Sequence, residues 1–231
     1  MSELLNTLIH DARVWQGHRQ SLTQAPGEPT GYTALDQQLN QSGWPVGALS
    51  ECLMDHDGIG ELQLVLPLMR RVAQAKRTVF WINPPHIPYA PALLRHGVAL
   101  EQVVVIRPGS TGDTLWTLEN CLRSAVTGLV LAWPGRLASR DIRRLQLAAE
   151  AGHTTCVLFR SRRHACQNSP AALRLELEPA PRQGLRVNVL KRRGGWPGQS
   201  CQLEVASRAG LPSQDGPQVI TGPWAGSHGQ E

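Results

Sequence analysis

One stretch limits the folds open to this chain. A strand pattern ending near Leu53 and an apolar helical pattern at Leu62, Val65, Leu66, Leu68, Met69 and Val72 are joined by Asp55-His56-Asp57-Gly58-Ile59-Gly60. Strand, glycine turn, helix is the layout of a phosphate-binding loop, in which backbone N–H groups and a helix N-terminus point at an anion. The working pattern G-x-x-x-x-G-K-[ST] is not met. With Gly60 as its second glycine, the first falls on Asp55, the lysine position on Glu61 and the magnesium-ligand hydroxyl on Leu62. Asp55, Asp57 and Glu61 then crowd one turn, and like charges at contact distance in a partly buried place cost on the order of several kcal/mol. The stretch reads as the remains of a nucleotide site, with no cofactor expected.

The rest of the chain alternates. Short apolar runs at 48–53, 78–83, 102–106, 128–132 and 154–159 predict strands, and the amphipathic stretches 60–75, 88–96, 112–125 and 139–151 predict the helices between them. That alternation predicts an α/β fold, a mostly parallel twisted sheet with helices on both faces. Two further runs, 172–178 and 184–191, predict an antiparallel edge. Ahead of this core, Leu4, Leu5, Leu8, Ile9, Ala12 and Trp15 form a helical stripe. The boundaries are 1–28 for this N-terminal helical extension with its linker, 29–205 for the domain, and 206–231 for a Gly, Pro, Ser and Gln-rich tail expected to be disordered.

Composition excludes several classes. No apolar run reaches the roughly 18 residues of a membrane span, and the first residues lack a basic n-region and signal core, so a cytoplasmic protein without membrane contact is expected. The five cysteines are scattered without C-x-x-C spacing, which argues for reduced thiols and against a metal site. No G-x-S-x-G or triad spacing is present. Charge is uneven: residues 136–193 carry 13 Lys/Arg against 4 Asp/Glu, although the whole chain is only +5. Within that segment Arg160, Arg162, Arg163, Lys191, Arg192 and Arg193 are the candidates for a weak DNA contact or for an acidic partner.

The order of several motifs carries a resemblance. Pro29-Thr30-Gly31-Tyr32-Thr33-Ala34-Leu35-Asp36 followed by Gly43-Trp44-Pro45-Val46-Gly47 resembles the run before the nucleotide loop of RecA-like recombinases. Phe80-Trp81-Ile82 with Arg95-His96-Gly97-Val98, and Leu122-Arg123-Ser124-Ala125 with Gly128-Leu129-Val130-Leu131-Ala132, are similar to later RecA segments. The resemblance implies a RecA-like core over about residues 29–193. It also implies three lost positions: Glu61 for the phosphate-binding lysine, Pro85 for the glutamate that activates water, and Trp133 for the magnesium-binding aspartate. Nucleotide hydrolysis needs a cation on the phosphates, a held metal ion and a positioned water, so the resemblance implies no catalytic residues, no metal and no enzyme.

Val14-Trp15-Gln16-Gly17, Gly58-Ile59-Gly60-Glu61-Leu62, Pro84-Pro85-His86-Ile87-Pro88-Tyr89-Ala90-Pro91 and Leu131-Ala132-Trp133-Pro134 resemble the ImuA group, RecA/SulA-like proteins of translesion DNA synthesis. That resemblance implies a non-catalytic adaptor of the SOS mutasome. Its partners would be an ImuB-type Y-family polymerase homologue, an error-prone replicative-type polymerase reached through it, and RecA. Trp15 and Trp224 are the candidate partner contacts. Two other expectations stand beside it: a SulA-like cell-division inhibitor that binds the tubulin-like division protein, and a divergent DNA-dependent ATPase.

Overall fold

The computed structural model describes residues 27–39, 43–181, 184–193, 198 and 200–205. The expected N-terminal helix and the tail, with Trp15 and Trp224, lie outside the described residues. Among the described residues there are eight strands: β1 (Leu49–Met54), β2 (Thr78–Ile82), β3 (Val103–Ile106), β4 (Thr127–Ala132), β5 (Thr155–Ser161), β6 (Leu173–Ala180), β7 (Gly184–Arg192) and β8 (Ser200–Leu203). They form one sheet in the order β3-β2-β4-β5-β1-β6-β7-β8. The six strands from β3 to β6 run parallel, and β7 runs antiparallel to both of its neighbours.

Every residue of β1 and β4 is buried. This explains why these strands read as continuous apolar runs: a central parallel strand is covered on both faces. On one face lie α1 (Thr33–Gln38), α2 (Glu61–Gln74) and α3 (Ala90–Arg95). Leu35, Leu64, Leu68 and Leu93 from these helices pack with Cys52, Trp81, Leu131 and Leu175 from the sheet. On the other face, α4 (Thr111–Arg123) and α5 (Ser139–Gly152) bring Leu118, Leu122, Leu145 and Ala149 against Val130, Ala132 and Leu158.

The start of α2 and its middle are both built around breaks in regular backbone. Gly58 and Gly60 have φ of 82° and 109°, a left-handed region that other residues occupy only with strain. Pro67 lies inside the helix, where it can give no N–H to the carbonyl four residues back, that of Gln63. The Tyr32 hydroxyl donates to that carbonyl at 2.9 Å. Gly31, at φ 90°, sits so close to the Pro67 ring that a Cβ would come within 2.6 Å of it. The segment before α1 is thus fitted to the proline break.

The four helices expected between the strands and the first seven strands are found within a few residues of their expected bounds. The exception is β8, whose Ser200-Cys201-Gln202-Leu203 is too short to register as a strand pattern. It pairs with β7 from Leu185↔Leu203 to Asn188↔Ser200. The antiparallel β6–β7 pair is therefore not the sheet edge that the sequence suggested.

Candidate functional site

The turn after β1 is occupied by its own side chain. Glu61 is the first residue of α2, is 4% exposed, and turns its carboxylate back into the loop. Gly58 N–H donates to Oε1 at 2.9 Å and Gly60 N–H to Oε2 at 3.1 Å. These are the backbone donors that a phosphate would use, and the negative charge sits at the favourable end of the helix dipole. The expected crowding of acids is therefore corrected. Asp55 and Asp57 are exposed, and Arg162 lies 3.4 Å from Asp55, so Glu61 is the only one of the three taken inside.

Next to the loop, the carboxyl ends of the central strands are filled with aromatic rings. Trp133, just beyond β4, stacks on Phe159 of β5 at 4.6 Å between centroids with 20° between planes, and its ring lies 5.7 Å from that of Trp81 on β2. Ile59 of the loop packs against the same core. Pro85 is exposed in the segment after β2. The three positions at which the RecA resemblance marks losses therefore hold an internal carboxylate, an exposed proline and a stacked indole. Among the described residues no group of three or more His, Cys, Asp or Glu is placed to hold a metal ion, and no helix is long and apolar enough to cross a membrane.

A buried ion cluster, not anticipated from the sequence, crosses three neighbouring strands. Glu51 of β1 is fully buried, as are the side chains of its two partners, Arg160 of β5 and Arg174 of β6, to within a few per cent. Arg160 donates to Glu51 Oε1, and Arg174 Nε donates to Oε2 at 2.7 Å. Each arginine also ties down a loop. Arg160 donates to the Leu137 carbonyl at 3.2 Å, and Arg174 to those of His164, Ala165 and Gln167 at 2.6–3.1 Å. A glutamate inside the apolar run Leu49-Ser50-Glu51-Cys52-Leu53 was the available signal, because a buried carboxylate needs a cationic partner.

This arrangement decides the fate of the candidate DNA contacts. Arg160 is corrected outright: 5% exposed and ion-paired, it cannot reach a phosphate. Arg162 is held by three carboxylates, with Glu176 and Glu178 each at 2.7 Å and Asp55 at 3.4 Å. Those neighbours raise its pKa, the Glu176 charge most of all. Lys191 donates to the Ser169 carbonyl at 2.6 Å, and burial lowers its pKa. Arg192 donates to the Gln38 carbonyl at 3.1 Å, and Arg193 lies 3.3 Å from Glu150. Arg163 is exposed. The six cations are thus dispersed over the sheet end and largely engaged within the chain.

The exposed apolar surface lies elsewhere. Of nine large hydrophobic residues exposed among the described residues, five gather at the edge of the sheet formed by β3: Ile87 (84%), Tyr89, Leu94, Val104 and Val105. A groove of about 340 Å³ there is lined by Ile87, Pro88, Leu93, Leu100, Val103 and Val105, with Arg107 beside them. Its floor is the edge strand β3. Ile106 gives its carbonyl to the Asn83 N–H at 2.9 Å. By the alternation of a strand, Val103 and Val105 turn their backbone groups to the open side.

Comparison with known proteins adds a likeness to this geometry. Residues 47–156 match the family model described as "Cell division inhibitor SulA". Three curated proteins of that name are similar to the chain. The Edwardsiella piscicida protein is 31% identical over 96 residues, which is 42% of this chain and 57% of the relative. That from Photorhabdus laumondii subsp. laumondii is 27% identical over 115 residues, 50% of this chain and 65% of the relative. That from Serratia marcescens is 26% identical over 145 residues, 62% and 86% of the two chains. The chain thus spans little more than half of the first relative and just under two thirds of the second. The crystal structure of SulA from Pseudomonas aeruginosa superposes with a TM-score of 0.41 at 24% identity, covering 49% of this chain and 97% of that one. The expectation of a translesion-synthesis adaptor working with an ImuB-type partner is overturned by the family-model match and the curated relatives. What residues 47–156 resemble is the cell division inhibitor SulA.

Proposed function

We infer that this chain is a non-catalytic, SulA-like inhibitor of cell division, made as part of the SOS response and acting by binding the tubulin-like division protein. The observation that carries this reading is the match of residues 47–156 to the SulA family model. That span contains the whole of the apolar edge groove, from Ile87 to Arg107. A cluster of exposed apolar side chains on an otherwise polar surface is the usual mark of a protein-binding face. The groove is accordingly the docking face for the division protein. The core is RecA-like in this reading, supported by the six parallel strands followed by antiparallel β7 and by the loop position of Glu61. The loop takes no part in turnover, because the place of the phosphate is filled by Glu61 and the space beside it by Trp133.

The test is direct binding. The full chain is mixed with the purified division protein and the complex is followed by sedimentation, with Ile87→Asp/Leu94→Asp as the matched variant. Ile87 and Leu94 are 84% and 56% exposed, so the variant leaves the core intact. Binding by the native chain and a loss of at least tenfold in the variant is the expected result. No complex with the native chain would refute the reading.

A further inference from the structure

The cations that the fold leaves outward-facing form a surface of their own on the opposite side of the sheet from α3. Helix α5 buries Ile142, Leu145, Gln146, Ala148 and Ala149. Its outer face therefore carries Arg140, Arg143, Arg144 and Leu147, by the three-and-four spacing of a helix. Arg136 precedes the helix by one turn, and Arg136, Arg140 and Arg143 are all exposed. Arg140 is 90% exposed at the side chain, and its ion pair among the described residues is with its neighbour Asp141, at 3.8 Å. Asp141 is itself engaged by the Ala138 N–H at 2.9 Å, as the helix start requires. Among the described residues, Arg136 and Arg143 have no ion-pair partner.

An aromatic ring stands on the adjoining helix. Arg144 pairs with Glu119 of α4, which aligns the two helices side by side. Trp116 is one turn before Glu119 on the same face and is 65% exposed. Among the described residues it belongs to neither core cluster. A ridge of arginines beside an exposed indole suits a polymer with regularly spaced phosphates and unstacked bases: cations follow the backbone and the ring takes a base face. Duplex DNA offers the phosphates but keeps its bases stacked.

We propose that the outer face of α4 and α5, built from Arg136, Arg140, Arg143 and Trp116, binds single-stranded nucleic acid. The surface is distinct from the edge groove on the α3 side, so the two can be broken separately. It also differs from the Arg160–Arg163 and Lys191–Arg193 segments, most of whose cations are engaged within the chain.

The test is fluorescence anisotropy of a labelled oligothymidylate with the full chain, titrated between about 50 and about 200 mM salt. Three phosphate contacts on a single strand give a slope of log affinity against log salt of about −2. The double variant Arg140→Glu/Arg143→Glu is expected to weaken binding at least tenfold. Trp116→Ala is expected to weaken it about fivefold or more, with Trp116→Phe retaining most of the affinity. All three variants keep the division protein complex, since none touches the groove. The proposal is overturned if the native chain binds no oligonucleotide at low salt, or if the charge reversal leaves binding unchanged. It is equally overturned if polyglutamate competes as well as unlabelled oligothymidylate while Trp116→Ala has no effect, which would assign the face to an acidic protein.

Discussion

The Tyr32 hydroxyl donates at 2.9 Å to the Gln63 carbonyl, the one group in α2 that Pro67 leaves without a helical donor. This bond couples the segment before α1 to the helix that starts at the self-occupied loop. Burial raises the pKa of the Tyr32 hydroxyl above its ordinary value, so it remains a donor throughout the neutral range. Tyr32→Phe is expected to cost about 1–2 kcal/mol by stranding a carbonyl. Replacing Pro67 with Ala in the same background should recover part of that loss, because the helix then supplies its own N–H. Urea denaturation of the four variants measures the coupling. Strict additivity would argue against it.

Glu61 is expected to stabilise its loop in the way a bound anion would. Glu61→Ala leaves the Gly58 and Gly60 N–H groups without their acceptor and should lower stability by about 1–3 kcal/mol. Glu61→Gln, which keeps the shape and one acceptor, should cost less. Thermal unfolding of the three proteins checks the order, and equal melting temperatures would show that the carboxylate is dispensable.

The buried ions should respond asymmetrically. Glu51→Ala strands two guanidinium groups inside the sheet and is expected to cost about 3–5 kcal/mol. Arg174→Met removes one cation but leaves Glu51 with Arg160, while freeing the carbonyls of His164, Ala165 and Gln167. Its signature is faster amide exchange or proteolysis in 161–170, with the rest of the sheet still protected. Uniform loss of protection would mean that Arg174 does not act locally.

Thiol reactivity should rank the cysteines by surroundings. Cys166 is exposed, whereas Cys52 and Cys156 are buried, and burial pushes both of their thiols up. For Cys52 the nearby Glu61 and Glu51 charges add to that effect. Cys121 is pushed up to about 11 by burial. In the folded protein a disulfide reagent near neutral pH should therefore modify Cys166 first, and Cys52 and Cys156 only on unfolding. Early labelling of Cys52 would contradict the packing of β1.

Acid should weaken the α4–α5 contact. Hydrogen bonding from Arg144, with its charge and that of Arg123, holds the Glu119 carboxyl below its ordinary value of 4.5. A carboxyl lowered in the folded chain contributes stability above its unfolded value, and that contribution disappears as pH falls through the folded one. Glu119→Gln should accordingly lower the melting temperature at pH 7, where that contribution is fully present, and the two proteins should converge as pH falls below about 4.5.

Much of the fold was legible because the parallel strands are short apolar runs and the helices between them have one apolar stripe. What escaped has identifiable physical reasons. Ser200–Leu203 is too short to show a period, and only its pairing with β7 makes it a strand. The sequence marked Glu61 as an anion in the wrong place, but only the backbone shows that it faces inward and replaces the phosphate. Arginine counts alone could not separate Arg160, which is buried on Glu51, from Arg140, which stands in solvent. The edge groove was hidden for a related reason: Ile87, Tyr89 and Leu94 read as helix and loop positions until β3 is seen to have no outer neighbour among the described residues. The family followed the same pattern. Motifs shared by RecA-like proteins could not by themselves choose between a mutasome adaptor and a division inhibitor, and it is the SulA family model that residues 47–156 match.

The most direct test of the central claim is the length of bacterial cells that express this chain. At equal protein levels, the native chain should arrest septation and produce filaments, and Ile87→Asp/Leu94→Asp should leave cells dividing at normal length. Normal division with the native chain, or filaments undiminished by the groove variant, would contradict the account.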